Sequence, residues 1–387
     1  MNSAELQSRP ENRGAKAADF LDRLAANLLR LGVRGRIQRV DISRSGDVTV
    51  LAAVGGQQQW MWIDPVLATD SVQPDTQESL RELNVSDDRK IPLARQLAAM
   101  DSGPGLTVLS YLPGRRLVML DSRGSEAVVL KGYRKGKGSG SAERYELAAR
   151  ATVPGRFFAP TPIRINELHD YMTLPLVDGR PFQVSDERMD DFEELGRGIS
   201  ALQAIDCSGA NIDRFDRADE LEVIDERARR MGLVGCATPD SWKQLRHRLS
   251  EVSLELQDSA FVPAHRDLHD GQLLQSVNGI ALLDFDLLCV AEPELDAANF
   301  LAHLALRRLQ MPHRISDACV QACGKKFLDG LSAYQREGFW ERLRFYQATT
   351  FCRLQLVYSM RPKWNGIVDS LGRLGHRCLD DLEHLAA

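Results

Sequence analysis

In AADFLDRLAANLLRLG apolar residues fall at 20, 21, 24, 28 and 31, a spacing that predicts a helix over 17–32 ending at Gly32. Residues 1–16 before it read as a frayed end. RIQRVDISRSGDVTVLAAVGGQQQWMWID then reads as strands broken at Ser45-Gly46 and Gly55-Gly56, with Trp60 and Trp62 expected in the core. Residues 64–100 are polar and mostly irregular, with one helical stretch near 92–100, and Gly103-Pro104-Gly105 marks a boundary. From 106 the pattern changes to three strands, TVLSYL, RRLVML and AVVLKGY, separated by Pro113-Gly114 and a Ser-Arg-Gly-Ser turn. A glycine-rich basic loop, RKGKGSGS, leads into a helix in SAERYELAARAT, and PIRINE and YMTLPLVDG carry further strand signals.

Beyond about 185 the pattern is helical, over 187–205, 217–232, 240–258, 294–309, 315–336 and 339–360. An island at 261–290 interrupts it, where VPAHRDLHDGQLLQ reads as a loop and NGIALLDFDLLCV as a hairpin. A β-rich segment with one helix thus precedes a larger helical one with a loop and hairpin in its middle.

Composition narrows the function classes. The 387 residues allow two to three domains, and 43% hydrophobic with 27% charged residues excludes wholesale disorder. Lys and Arg number 49 against 54 Asp and Glu, a net charge of -5, so no nucleic-acid partner is expected. No run of 18 apolar residues suggests a membrane span, and the polar N-terminus is no signal-peptide core, so a cytoplasmic protein is expected. Seven scattered cysteines fit reduced thiols. Cys319 and Cys323 lie one helical turn apart without the second pair that a zinc site needs.

The island carries the strongest chemical signal. His265-Arg266-Asp267 is followed by Gln272, and Asp284 closes the apolar run ALLD. Phosphoryl transfer from ATP needs an aspartate to accept or orient the acceptor's hydroxyl proton. It also needs an oxygen ligand for Mg²⁺ and a second carboxylate bridging that metal to the phosphates. Asp267, Gln272 and Asp284 fit those roles in that order. Upstream, Lys131 ends the strand AVVL, within reach of the α and β phosphates, 17 residues after Gly114. That interval leaves room for a turn over the phosphates and a return strand. The following helix offers Glu143 or Glu146 to direct the lysine.

On these motifs the chain resembles the aminoglycoside phosphotransferase-type kinases, the small-molecule branch of the protein-kinase-like fold, over roughly residues 106–387. HRDLHDGQLL is similar to the family's HGDLHxGN(I/L)L loop, LLDFD to its metal segment, and AEPELDAANFL to its GDPxxDLA segment. The resemblance implies an α+β, bilobal protein-kinase-like fold: a β-rich N-lobe over 101–177, a helical C-lobe over 178–387, and an α/β N-terminal extension over 1–100. It implies that Asp267 is the catalytic base and that Gln272 and Asp284 hold Mg²⁺. Lys131 is then the nucleotide lysine, with Glu146 its helix partner. Gly114 and Arg115 form the phosphate turn, Leu176 and Val177 belong to the adenine hinge Thr173–Val177, and Asp296 is a buried structural aspartate. Gln272 stands where most members have Asn, as in maltokinase-like sugar kinases; the turn has a single glycine; and Arg266 replaces a small residue.

Plainer roles remain for several residues. His265 is expected to pack and hydrogen-bond, and His269 to orient the loop. Asp286 is either a second metal contact or the solvated end of a strand, and Arg134, Lys135 and Lys137 are expected in a solvated loop. Trp340 and Trp364 flank the last helices, where relatives build the acceptor site, with core packing the default; Arg361–Trp364 is a stretch that also bears on that site. Only eight residues separate Asp284 from Pro293, too few for an activation segment, which favours a small-molecule acceptor over a protein. A nucleotide-binding regulator without turnover is the rival from another class. From 311 onward 11 Lys/Arg face 8 Asp/Glu, so a neutral or anionic acceptor such as a sugar is expected rather than a polycation.

Overall fold

The structure, a computed structural model, describes residues 16–65, 79–99, 105–332 and 336–385. The frayed end over 1–15, the irregular stretch 66–78 and Gly103-Pro104 lie outside the described residues. The chain forms two compact units.

The first unit takes residues 1–82 together with 222–246 and 352–372. Helix α1 (Ala17–Arg30) buries Phe20, Leu21, Leu24 and Leu28, most of the stripe read from the sequence. Strands β1 (Gly35–Ile42), β2 (Val48–Val54), β3 (Gln57–Ile63) and β4 (Leu80–Glu82) make an antiparallel sheet in chain order. Val48, Val50 and Ala52 alternate onto its buried face. Trp60 is buried, whereas Trp62 is half-buried, each with an arginine 5.9 Å from its ring (Arg39 and Arg81). A later stretch of chain returns to this sheet, where the Val40 N–H donates to the Met360 carbonyl at 3.1 Å. Arg361, Lys363 and Trp364 therefore belong to this unit, which the sequence did not indicate.

The second unit holds 83–221, 247–351 and 373–387. Its first helix, α2 (Pro92–Ala99), packs Ile91, Leu93 and Ala94 on Leu117 and Met119. The second unit begins at residue 83, and these apolar residues cover a face of the next sheet. That sheet runs in the order β5 (Leu106–Leu112), β6 (Arg116–Asp121), β7 (Val128–Tyr133), β10 (Tyr171–Pro175), β9 (Arg164–Asn166). Between β7 and β9 come α3 (Gly138–Ala149) and β8 (Phe157–Phe158).

Strand β11 (Gly179–Pro181) precedes the helices α4 (Met189–Gln203), α5 (Arg217–Leu233) and α6 (Trp242–Glu255). The island is β12 (Val262–Ala264), a loop, the hairpin β13 (Leu273–Ser276) and β14 (Gly279–Leu282), and β15 (Cys289–Ala291). Helices α7 (Glu294–Gln310), α8 (Asp317–Asp329), α9 (Phe339–Ser359) and α10 (Val368–Leu385) follow. The α+β pattern of a β-rich part before a helical one is present; α10 had no counterpart in the sequence reading.

Candidate active site

Strand alternation sorts the residues of β6 and β7. Leu117 lies opposite Gly132 and Met119 opposite Leu130, while Arg116 pairs with Tyr133 and Val118 with Lys131. The first four share the face that α2 covers, where a β-carbon on Gly132 would lie 2.7 Å from Leu93. The other face presents Arg116, Lys131 and Tyr133.

Lys131 is only 4% exposed, a lysine held in the core. Its Nζ donates to the Tyr145 hydroxyl at 2.9 Å, to Asp284 Oδ1 at 2.8 Å and to Asp286 Oδ1 at 2.8 Å. Burial favours the neutral amine, but Tyr145, Tyr133, Asp286 and Asp284 outweigh it and hold the lysine charged, well above its ordinary range. Glu146, expected as the helix partner, is exposed, as is Glu143. The turn of α3 carries Tyr145 inward instead, so the helix directs the lysine through a phenol.

Asp284 sits between β14 and the following turn with φ 66° and ψ 61°, left-handed backbone unusual for a residue with a side chain. That kink sets its carboxylate beside that of Asp286. Arg116 Nη1 reaches Asp284 at 2.9 and 2.7 Å and Asp286 at 3.0 Å, and the Tyr133 hydroxyl donates to Asp286 at 2.9 Å. Burial raises the pKa of Asp284, yet Lys131 and Arg116 together hold it well below the usual carboxylate range. Asp286 is therefore a full member of the cluster and not a solvated strand end. Two adjoining carboxylates are a suitable oxygen pair for a hard divalent cation.

The loop bearing Asp267 is fixed from two sides. His265, fully buried, faces the Leu283 carbonyl with Nε2 at 2.8 Å and takes the Asp267 N–H on Nδ1 at 3.3 Å. Phe285 packs edge-on against both His265 and Tyr145, with centroids 5.1 and 5.4 Å apart, so loop and lysine share one wedge. Helix α7 grips the other side. Asp296 accepts the backbone N–H of His265 at 2.6 Å and of Arg266 at 2.7 Å, and Asn299 donates to the Leu268 carbonyl at 2.9 Å. His303 stacks on His269 at 4.7 Å, and Arg307 Nε binds both oxygens of Asp270 at 3.0 and 2.8 Å. These four sit at successive turns of one helix face.

Asp267 is half-buried, its Oδ2 3.4 Å from Gln272 Nε2 and 3.8 Å from His269 Nε2. His269 accepts the Gly271 N–H on Nδ1 at 3.0 Å, and burial lowers its pKa, so the neutral ring carries its proton on Nε2. His269, Asp270 and His303 also bring three ligand atoms within 4.8 Å of one another. With Arg307 holding both oxygens of Asp270, the trio is better read as a clamp on the loop than as a metal centre.

Of the remaining expected residues, Gly114 turns β5 into β6 with φ +66°, and Arg115 is exposed. The Gly114 N–H donates to Asp88 Oδ2 at 2.6 Å. Leu176, 46% exposed, and the half-buried Val177 follow β10. Arg134, Lys135 and Lys137 are exposed, as is Trp340. Sequence reasoning expected Asp296 as a buried structural aspartate but missed Arg116, Tyr133, Tyr145 and the rest of the α7 stripe, Asn299, His303 and Arg307. Polar residues at 296, 299, 303 and 307 in an otherwise apolar helix were the available signal for the stripe.

Residues 116–340 match the model of the phosphotransferase enzyme family. No curated protein matches the chain. Among solved structures the fold is similar to that of a choline/ethanolamine kinase family protein from Mesorhizobium loti, 15% identical, covering 77% of this chain and 94% of that one with a TM-score of 0.50. It is similar also to choline kinase from Cryptosporidium parvum Iowa II (12% identity, 77% and 95% coverage, TM-score 0.52). Amicoumacin kinase in complex with AMP-PNP, Ca²⁺ and Ami is another match (13% identity, 73% and 93% coverage, TM-score 0.53). At these identities the likeness is one of fold. No helix among the described residues is long and apolar enough to cross a membrane.

Proposed function

Because the chain belongs to the phosphotransferase enzyme family, whose members are small-molecule kinases, we propose that it moves the γ-phosphate of ATP to a hydroxyl of a small neutral or anionic metabolite, such as a sugar. The observation that carries this reading is the meeting of Lys131 with Asp284 at 2.8 Å, 153 residues apart in sequence, beside a loop that presents Asp267. Residues 101–177 are assigned the nucleotide, with Leu176 and Val177 beside adenine; residues 178–387 are assigned the catalytic loop, the metal and the acceptor.

In this mechanism Asp267 accepts or orients the proton of the acceptor hydroxyl, and His265 and the α7 stripe hold it still while the phosphoryl group passes. Lys131, kept charged by its neighbours, steadies the phosphates. Asp284, Gln272 and, by its position, Asp286 are the residues that would hold Mg²⁺. When bound, that ion neutralises charge on the β and γ phosphates. Catalysis is then mostly positioning and charge compensation. The choice of acceptor rests on charge: within the parts of 311–387 that belong to the second unit, 8 Lys/Arg stand against 7 Asp/Glu, no excess that would replace a polycation's hydration.

The experiment is phosphate transfer to a panel of hydroxyl compounds, run beside calorimetric titration of nucleotide with and without Mg²⁺. Asp267→Asn is expected to keep Mg-nucleotide binding and to lose turnover by ~10²–10⁴-fold. Asp284→Asn is expected to lose the Mg²⁺-dependent part of the affinity. If Asp284→Asn keeps full Mg²⁺-dependent affinity and activity, the metal assignment is wrong. Nucleotide binding without transfer to any acceptor would make the protein a regulator instead.

A further inference from the structure

We propose that Arg116 is the phosphate-binding residue of this site, doing with a guanidinium what backbone amides do in a glycine-rich turn; this rests on the kinase reading above. The turn itself is already committed. Asp88 takes the Gly114 N–H at 2.6 Å and the Tyr111 hydroxyl at 3.0 Å on one oxygen, and the Lys90 N–H at 2.9 Å on the other. The Arg115 N–H closes the turn onto the Leu112 carbonyl at 3.0 Å. Both amides that could face a phosphate are thus spent on the turn's own frame.

The next residue, Arg116, points from β6 to the face that carries Lys131. Its guanidinium meets the two carboxylates through Nη1 alone, while Nε is buried with no hydrogen-bond partner. A guanidinium built for a permanent carboxylate pairing uses two nitrogens of its fork, and a buried donor left unpaired is costly. The single-nitrogen grip suits a group that exchanges partners.

Charge balance describes the exchange. Two cations, Lys131 and Arg116, face two carboxylates, Asp284 and Asp286. With a nucleotide and its divalent cation bound, Asp284 and Asp286 would be the residues that hold the metal, leaving Lys131 and Arg116 to pair with the phosphates. Every buried charge then keeps an opposite partner.

The test is calorimetric titration of adenosine, ADP and ATP, each with Mg²⁺, into the full-length wild type, Arg116→Gln and Arg116→Lys. Charge-assisted hydrogen bonds of this kind correspond to roughly a ten- to hundred-fold loss of ATP affinity in Arg116→Gln. Adenosine should bind unchanged, ADP should be affected less than ATP, and Arg116→Lys should fall between wild type and Gln. Undiminished or tighter ATP binding by Arg116→Gln would overturn the proposal, since Arg116 would then only compete with the metal. An equal loss for adenosine would also overturn it, by revealing a purely structural role. Should Arg116→Gln not fold, Arg116→Lys decides: an ATP affinity equal to wild type counts against the proposal, and a loss confined to the phosphorylated ligands supports it. A wild type that binds no nucleotide would sink the kinase reading itself, which is a separate outcome.

Discussion

Arg266 occupies left-handed backbone at φ 69°, one of three described non-glycine residues with positive φ. A side chain there costs roughly 1–2 kcal/mol, because its β-carbon crowds the carbonyl that follows. The stacking of its half-buried guanidinium 3.6 Å from the buried Phe215 ring offsets part of this, by about 0.5–1 kcal/mol. The ring contact lowers the net cost, which helps an arginine to be tolerated where the resembling family has a small residue. Arg266→Ala keeps the backbone cost and loses the ring. Arg266→Gly loses the ring and sheds the cost. Urea denaturation should therefore rank Gly above Ala by about 1 kcal/mol, the reverse of their order within a helix; Ala equal to or above Gly would mean the backbone there is relaxed. At this scale the order of Asp267, Gln272 and Asp284 along the chain was legible, and it pointed to the family whose model the chain matches. The sequence was silent where two side chains of a helix compete for one direction. Tyr145 and Glu146 are neighbours, and only the packing of α3 decides that the ring, not the carboxylate, turns toward Lys131. Arg116 was hidden for a related reason: alternation within β6 puts it, rather than Arg115, on the working face.

Helix α7 grips one side of the loop that bears Asp267. Asn299, 1% exposed, donates to the Leu268 carbonyl at 2.9 Å, and Thr350 donates to its other side at 3.4 Å. Asn299→Ala strands a buried carbonyl next to Asp267, which should cost about 1–3 kcal/mol of stability. Turnover should fall further than nucleotide affinity, because Asp267 loses its footing while the Lys131 cluster is untouched. Equal losses in both, measured by denaturation, calorimetry and steady-state kinetics, would show that α7 supports the whole site and not the loop alone. The helices over 189–203, 217–233 and 339–359 and the strands 106–112 and 116–121 were readable from period and turn residues. The role of α7 was not, since a polar residue every third or fourth position in a helix reads equally well as a solvent-facing stripe. Short strands such as β8 and β11, of two and three residues, were also invisible, being defined by partners distant in sequence.

For the molecule as a whole, the seven cysteines report how tightly the fold is closed. Burial pushes the thiols of Cys236, Cys289, Cys323 and Cys378 up to about 12, so at pH 8 they are neither thiolates nor reachable. Only Cys207 is not buried. Alkylation of the native protein followed by intact mass measurement should add one label, and alkylation in denaturant seven; fast labelling of several thiols in the native state would mean that the helical part opens readily. The first unit carries a different consequence. It draws on three stretches, 1–82, 222–246 and 352–372, and the chain comes back to β1 after more than three hundred residues. Its sheet is contiguous in the gene, while the helical stretches that complete it are written into the catalytic half. A single crossover cannot graft or remove such a module, since a cut at residue 82 leaves 222–246 and 352–372 without the sheet they were shaped for. The chain 83–387 should accordingly lose soluble yield or unfold at a lower temperature than the whole. In the language of gene assembly this appendage is not a cassette but a braid, and its sheet and its returning strands of chain have to be redesigned together.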